Sequence, residues 1–393
     1  MKVLHVVPSL SPLRGGPSFA ARSIARALVE AGATVDVVTT DDDGAGRAEV
    51  PLRTWVKDGG VRYQYFPRQT RRYTVSVPLS QWLLRNATSY DLLHIHAVFS
   101  YPTLPAALAA VRWEVPYIVR PLGILNRWGR EYEKKVLKKL SFALLERRIL
   151  RCAGAIHYNT ELEMHEAAEL RIDGRGVVIP NPVDLPPPGV CNPAWFHDEF
   201  PATRDGEVIL VLSRLHEKKG IDLVLAGFPQ IRAAFPNARL VLAGEGSPEF
   251  VAGLRRRVAE LGVGAAVVWT GFLDGPQKWS AMAAASVFVL PSHSENFGIA
   301  VVEAMAAGTP VVISDAVGIH REVADSRAGF VVPCAVEPLA GALKRVLGEP
   351  ERGKEMGRNG RRLVETAFSS AAVGPRLMDL YGELVGGPVG GRR

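Results

Sequence analysis

The chain has 393 residues, 47% hydrophobic and 22% charged, with a formal net charge of +7. That length exceeds one ordinary core and implies two or three globular domains; the composition excludes a disordered or fibrous chain. Three widely spaced cysteines, Cys152, Cys191 and Cys334, exclude a disulfide-stapled scaffold and read as free thiols of a reducing compartment.

In chain order, KVLHVVPSL reads as a strand from residue 2. SPLRGGPSFAARSIARALVEAG is a loop and a helix stopped by Gly32, and TVDVVTT is the next strand. This is a βαβ opening with a glycine-rich turn, Gly15-Gly16-Pro17. It lacks G-x-G-x-x-G, so it is not read as a dinucleotide site. No signal-peptide apolar region precedes the strand, and no stretch reaches the ~18 apolar residues of a membrane span, so a cytoplasmic protein is expected. Asp41, Asp42 and Asp43 follow the second strand and read as a solvated loop.

In DLLHIHAVFSYPTLPAAL, strand alternation puts His94 and His96 on one face and Ile95 on the other. A metal site would need a third ligand. The chain contains no H-E-x-x-H or C-x-x-C, so no metal site is read. YIVRPLGILNRWG carries Arg120 at the end of a further strand. EYEKKVLKKLSFALLERRILR is helical by pattern, with Lys134, Lys135, Lys138 and Lys139 on one arc and Phe142 and Leu145 among them. From Arg120 to Arg151 there are ten basic and three acidic residues, a net of +7, so the rest of the chain sums to zero. Such a face suits an anionic membrane surface, with an ordinary surface helix the equal alternative. Nucleic acid is not an expected partner, because no aromatic platform is interleaved with the charges.

The segment IPNPVDLPPPGV, Ile179 to Val190, holds five prolines and reads as a domain boundary. Beyond it, EVILVLSRLHEKKGIDLVLAGF gives a strand, a turn bracketed by Arg214 and Lys219, and a helix from Gly220. Cations at a strand end beside a helix N-terminus suit a diphosphate. Lys218 is the neighbouring candidate; Lys219 is preferred because it directly precedes the glycine. ARLVLAGEGS is a strand ending at Gly244, and VVWTGFLDG another ending near Leu273. SVFVLPSHSENFGIAVVEAMAAGTPVV then gives a buried strand from Val287 to Leu290, a polar loop from Ser292 to Asn296, and a helix from about Ile299 to Ala307 closed by Gly308 and Pro310. Gly298 permits close backbone approach to a ligand, and the helix presents free N–H groups. Glu295 lies before this helix and Glu303 about one turn into it. A last helix runs from about Ser370 to Leu384, followed by the glycine-rich tail GGPVGGRR. Alternating strands and helices imply parallel sheets covered on both faces, an α/β fold.

The string from Glu295 to Glu303, read with Arg214 and Lys219, resembles the E-x-x-x-x-x-x-x-E signature of the retaining glycosyltransferases of family 4. The resemblance implies a GT-B architecture: two facing Rossmann-like domains with a cleft between them. Residues 1–182 would be the acceptor-side domain and 183–369 the nucleotide-sugar domain. Residues 370–393 would be a helix crossing back to the first domain, plus the tail. It implies that Glu295 meets the donor sugar, that the main chain of Asn296, Phe297, Gly298 and Ile299 meets the diphosphate, and that Glu303 meets the ribose hydroxyls. Arg214 and Lys219 would stabilise the departing diphosphate without a divalent ion. Gly244 and Leu273 would lie by the nucleotide, and the Gly16 backbone would approach the donor phosphate across the cleft. His96 would reach the sugar or acceptor, with His94 structural. Leu122 stands where the family usually has a basic residue.

The implied activity is transfer of a sugar, with retention and by a front-face mechanism, from a nucleotide-diphosphate sugar to a glycan or lipid-linked acceptor. The setting would be cell-surface polysaccharide or glycolipid synthesis, in the cytoplasm or on the inner face of the membrane. No cofactor is implied, only the nucleotide sugar as co-substrate. The alternatives are a non-catalytic nucleotide-sugar-binding scaffold and a GT-B nucleotide-sugar epimerase.

Overall fold

The computed structural model of the protein describes residues 1–71, 73–125 and 141–386. Lys134, Lys135, Lys138 and Lys139 of the basic arc, Trp128 and the tail from 387 lie outside the described residues. The chain divides into two compact units, one formed by Met1–Pro182 together with the segment from Ser369, the other by Val183–Phe368.

The first unit is built on an eight-stranded sheet. In chain order its strands are β1 (Lys2–Val6), β2 (Thr34–Thr40), β5 (Trp55–Asp58), β6 (Val61–Phe66), β7 (Leu92–His96), β8 (Tyr117–Arg120), β9 (Ala155–Tyr158) and β10 (Gly176–Val178). A separate two-stranded ribbon joins β3 (Asp42–Asp43) to β4 (Gly46–Arg47). The spatial order is β10-β9-β8-β7-β1-β2-β6-β5, with only β5 antiparallel to its neighbour. Alternate residues face opposite ways. Leu4, Val6, Leu93, Ile95 and Val119 join one core cluster, while Val3, Leu92 and Ile118 join the other. Each such buried side chain contributes about 1.5–3 kcal/mol, so these two layers outweigh any surface ion pair.

The Ser370–Gly386 helix packs on the Gly16–Glu30 helix, where a Cβ on Gly374 would sit 2.6 Å from the Ala27 carbonyl oxygen. Among the described parts of the basic segment, Phe142 turns inward against the core and stacks near Phe99 at 6.3 Å between ring centres. The expectation that it belonged to a membrane-facing arc is corrected: apolar contact with the core claims it.

The second unit has six parallel strands: β11 (Val208–Leu212), β12 (Arg239–Ala243), β13 (Val267–Gly271), β14 (Val287–Leu290), β15 (Val311–Ser314) and β16 (Gly329–Val332). Their order is β13-β12-β11-β14-β15-β16. The sequence order reverses around β11, so the loops after β11 and β14 emerge beside each other at the C-terminal edge, the usual ligand edge of an open α/β sheet. Val208, Leu210, Phe288 and Leu290 face one core cluster, and Ile209, Val211, Val287 and Val289 the other. Gly220 fixes the spacing of the two loops. It has φ +65°, and a Cβ there would sit 2.1 Å from the Pro291 carbonyl oxygen, so no other residue fits.

Candidate functional site

In the second unit the loop after β14 is tied down through its main chain. The Glu295 N–H donates to Ala316 O at 3.0 Å, and the Gly318 N–H donates to Glu295 O at 2.8 Å. The Glu295 side chain then meets Lys219, which donates to Oε2 from the turn after β11. Of the two lysines in that turn, Lys219 makes this ion pair. Its neighbour Lys218 contributes its charge at longer range. Burial pushes the Glu295 carboxyl up, but the Lys219 charge and hydrogen bond, with Lys218 and the Phe297 amide, hold it below its ordinary value. Arg214 is exposed and makes no ion pair among the described residues.

Gly298 has φ +88° and caps the Ile299–Ala306 helix without a side-chain hydrogen bond. A Cβ at Gly298 would lie 3.2 Å from both Val301 and Val317, so conformation and space both call for glycine. Among the described residues the Ile299 and Ala300 amides have no acceptor, which leaves a helix N-terminus suited to an anion. Asn296 and Ile299 are half-buried at this loop-to-helix junction.

Two other predicted contributors face inward. Phe297 is 3% exposed and packs edge-to-face on Phe368, and Leu273 is 7% exposed in the same core cluster. Only their main chains are left to meet a ligand. Gly244 has a backbone reason to be glycine, since a Cβ would sit 1.9 Å from the Ser213 carbonyl oxygen. It lets the end of β12 run against the residue preceding Arg214.

Glu303, the fifth residue of its helix, does not meet Glu295's lysine. Lys278, on the Gly275–Ala284 helix, donates to Glu303 Oε1 at 2.6 Å. Burial raises the Glu303 carboxyl; the Lys278 charge pulls it down and the nearby Asp184 pushes it up, leaving it above its ordinary value. Sequence reasoning missed Lys278, because a lysine in an ordinary amphipathic helix carries no motif that marks it.

The first unit places Gly16 exposed at the first position of its helix, whereas the residue with positive φ, +69°, is Gly15. His96 is 1% exposed, and its Nε2 lies 3.0 Å from Nδ1 of His5. The expectation that it reaches a sugar or acceptor is corrected for this arrangement of the unit, where the ring is interior. His94 is bound at Nδ1 by the Tyr381 hydroxyl at 2.7 Å and at Nε2 by His157 at 3.3 Å.

His5 is a third imidazole beside the pair read in the sequence, and ring nitrogens of His5, His94 and His96 lie within 4.8 Å of one another. A metal ion there would share the layer with Arg120. Arg120 pairs in register with His96 and is wholly buried, held by the Oδ1 atoms of Asn159 and Asn181. Burial, and then Arg120, push His5 and His157 down to about 3. The rings are neutral, with His5 Nε2 and His96 Nδ1 unpartnered among the described residues, and the buried guanidinium opposes a second cation.

Asp41 and Asp42 are buried rather than solvated. Arg68 donates to Asp42, Arg14 donates to it at 2.8 Å, and the Asp41 carboxyl accepts from the Arg68 N–H at 2.8 Å. Beside them is a recess of about 250 Å³ lined by Ser11, Arg22, Asp43, Glu49 and Tyr65 among others.

No helix among the described residues is long and apolar enough to cross a membrane. The sequence model of the family described as glycosyl transferases group 1 matches residues 196–363, and that of the glycosyl transferase 4-like domain matches residues 15–182. A phosphatidyl-myo-inositol mannosyltransferase of Mycolicibacterium smegmatis is 28% identical over 376 residues, covering 89% of this chain and 86% of its own. A D-inositol 3-phosphate glycosyltransferase of Segniliparus rotundus is 27% identical over 380 residues, covering 91% and 83%. Among solved structures, sucrose-phosphate synthase from Thermosynechococcus elongatus superposes with a TM-score of 0.75 at 24% identity, covering 98% of this chain and 99% of that one. The Anabaena protein HepE in complex with UDP-glucose gives 0.76 at 21% identity, covering 98% and 100%.

Proposed function

Because the chain belongs to the glycosyl transferases of group 1, with a 4-like domain in its N-terminal half, and is a GT-B-fold, nucleotide-sugar-dependent glycosyltransferase, we propose that it transfers a hexose with retention, and without a divalent ion, to a glycan or lipid-linked acceptor. The curated relatives are transferases, which leaves the scaffold and epimerase readings without support.

The observation that carries the proposal is the meeting of Glu295 with Lys219 beside the uncapped start of the Ile299–Ala306 helix. A diphosphate set against that helix start is stabilised by the Ile299 and Ala300 amides, by Lys219 and by the exposed guanidinium of Arg214. Charge that develops on the leaving oxygen is then met by donors already in place. These cations perform the neutralising work that a divalent ion performs in other transferases. Glu295, held ionised by Lys219, accepts hydrogen bonds from sugar hydroxyls. Glu303 accepts from the ribose.

In a front-face reaction the acceptor hydroxyl forms its bond to the anomeric carbon on the side from which the diphosphate departs. The anomeric carbon–oxygen bond to phosphate breaks, and a diphosphate oxygen takes the hydroxyl proton. His96 has no part in this reading, since its ring is buried.

The test is thermal stabilisation by uridine, guanosine and adenosine diphosphates and their sugars, with EDTA present, for the wild type and Glu303→Ala. A shift with one base that the variant loses supports the donor site and its metal independence. No shift with any nucleotide overturns both.

A further inference from the structure

We propose that Lys278 is a positioning residue of the donor site, holding Glu303 as an oriented carboxylate whose remaining oxygen receives a ribose hydroxyl. This rests on the donor-site reading above and extends it to a residue outside the family motif.

The ammonium of Lys278 is fixed from two sides. It donates to Glu303 Oε1 at 2.6 Å, and it lies 5.2 Å from the centre of the Trp279 ring, a cation–π distance. Trp279 is 8% exposed and anchored in the core, so the lysine has a rigid floor. The side chains of Lys278 and Glu303 are 21% and 15% exposed, so the pair sits at the surface of the unit yet is largely shielded from water. A pair so placed is neither a freely solvated contact nor a buried one.

Its geometry is also lopsided. Lys278 takes Oε1, and among the described residues Oε2 has no donor. A carboxylate has about four acceptor positions, so one oxygen remains open to a hydroxyl. The orientation matters because a carboxylate whose plane is fixed by one charge-assisted bond presents its second oxygen in a set direction.

Lys278 also acts on the charge state. Asp184 lies close enough to Glu303 to disfavour a second negative charge, and burial acts in the same direction. Lys278 is the cation that opposes both, and even so the carboxyl stays above its ordinary value. Without it the carboxyl is a group that protonates readily, and a protonated Glu303 accepts hydroxyl hydrogens poorly.

Isothermal titration of the full chain with uridine and guanosine diphosphates, whichever binds, from pH 6 to 8.5 tests the proposal. For Lys278→Met the affinity is expected to fall about tenfold at pH 6.5 and to recover toward the wild type at pH 8.5. Lys278→Arg restores the wild-type profile. In a Glu303→Gln background Lys278→Met has no further effect, since its action runs through that carboxylate. Lys278→Gln, which keeps a neutral donor, repeats the measurement should the methionine variant fold poorly.

A Lys278→Met or Lys278→Gln profile that overlays the wild type, while Glu303→Gln weakens binding, overturns the role of Lys278 and leaves the donor site standing. Glu303→Gln binding as well as wild type overturns the donor-site reading itself. A uniform loss in Lys278→Met at every pH, also present in the Glu303→Gln background, overturns positioning in favour of a general structural role.

Discussion

The Tyr381 hydroxyl meets Nδ1 of His94 at 2.7 Å, joining residues 287 apart in the chain. The direction of this bond follows from the far end of the same row. Nε2 of His157 lies 2.7 Å from the Ile179 carbonyl oxygen, so that nitrogen carries the hydrogen and Nδ1 is bare. Nδ1 of His157 therefore accepts from Nε2–H of His94 at 3.3 Å, and Nδ1 of His94 is left to accept from Tyr381. One neutral tautomer at each of these two rings satisfies every step from the C-terminal helix to Ile179, the first residue of the proline-rich segment.

Tyr381→Phe is therefore expected to leave a buried imidazole nitrogen without a donor, at a cost of about 1–3 kcal/mol. Urea unfolding gives the stability loss. Amide hydrogen exchange in residues 370–386 should speed up more than exchange in the second unit.

The same layer sets an acid response. His5 and His157 titrate at about 3 in the folded chain against 6.5 when free. Above pH 6.5 both states are neutral and nothing changes. As pH falls from 6.5 toward 3 the unfolded chain takes up protons that the folded chain does not. Stability then falls by about 1.4 kcal/mol per pH unit for each ring.

Glu146 acts in the other direction. Burial, partly offset by the Phe99 N–H bond, raises it to about 7 from 4.5. The folded chain therefore holds the extra proton between 4.5 and 7, and stability from this group is lost as pH rises through that window. The acid slope should steepen below pH 4.5, where this opposition ends. Urea midpoints measured from pH 8 to 4 check the sign.

Lys219→Ala and Glu295→Gln are each expected to lower kcat about 10²–10³-fold, as removal of a preorganised charge at the reacting centre does. Each change also leaves the charge or dipole of a largely shielded partner unmatched, so some loss of stability accompanies the loss of activity. Sugar transfer followed by product chromatography, with melting curves on the same samples, separates the two effects.

Gly220→Ala tests the packing of the two site loops. A Cβ would strike the Pro291 carbonyl oxygen at a residue with φ +65°. The expected cost is about 3 kcal/mol, confined to the second unit. Calorimetry should show that unit's transition lowered, and nucleotide affinity should weaken because the loops after β11 and β14 no longer hold their spacing.

Much of the candidate site was legible because it is local. The span from Glu295 to Glu303 sits in one strand–loop–helix, and Gly298 and Gly308 mark its punctuation by backbone conformation alone. Lys278 was not legible. It stands 25 residues before Glu303 on another helix, and nothing in its own neighbourhood signals the contact. The acidic run at Asp41–Asp43 looked solvated because charge is usually exposed. Only the fold brings Arg14 and Arg68 to it.

By itself the sequence determined the α/β alternation and the glutamate motif, since periodicity and glycine conformation act over a few residues. Tertiary structure alone decided that His96 is interior, that His5 and Tyr381 complete its layer, and that each motif glutamate has its own lysine. Those outcomes depend on sheet register and on which side chains are withdrawn from water together, and neither is encoded within any single stretch of the chain.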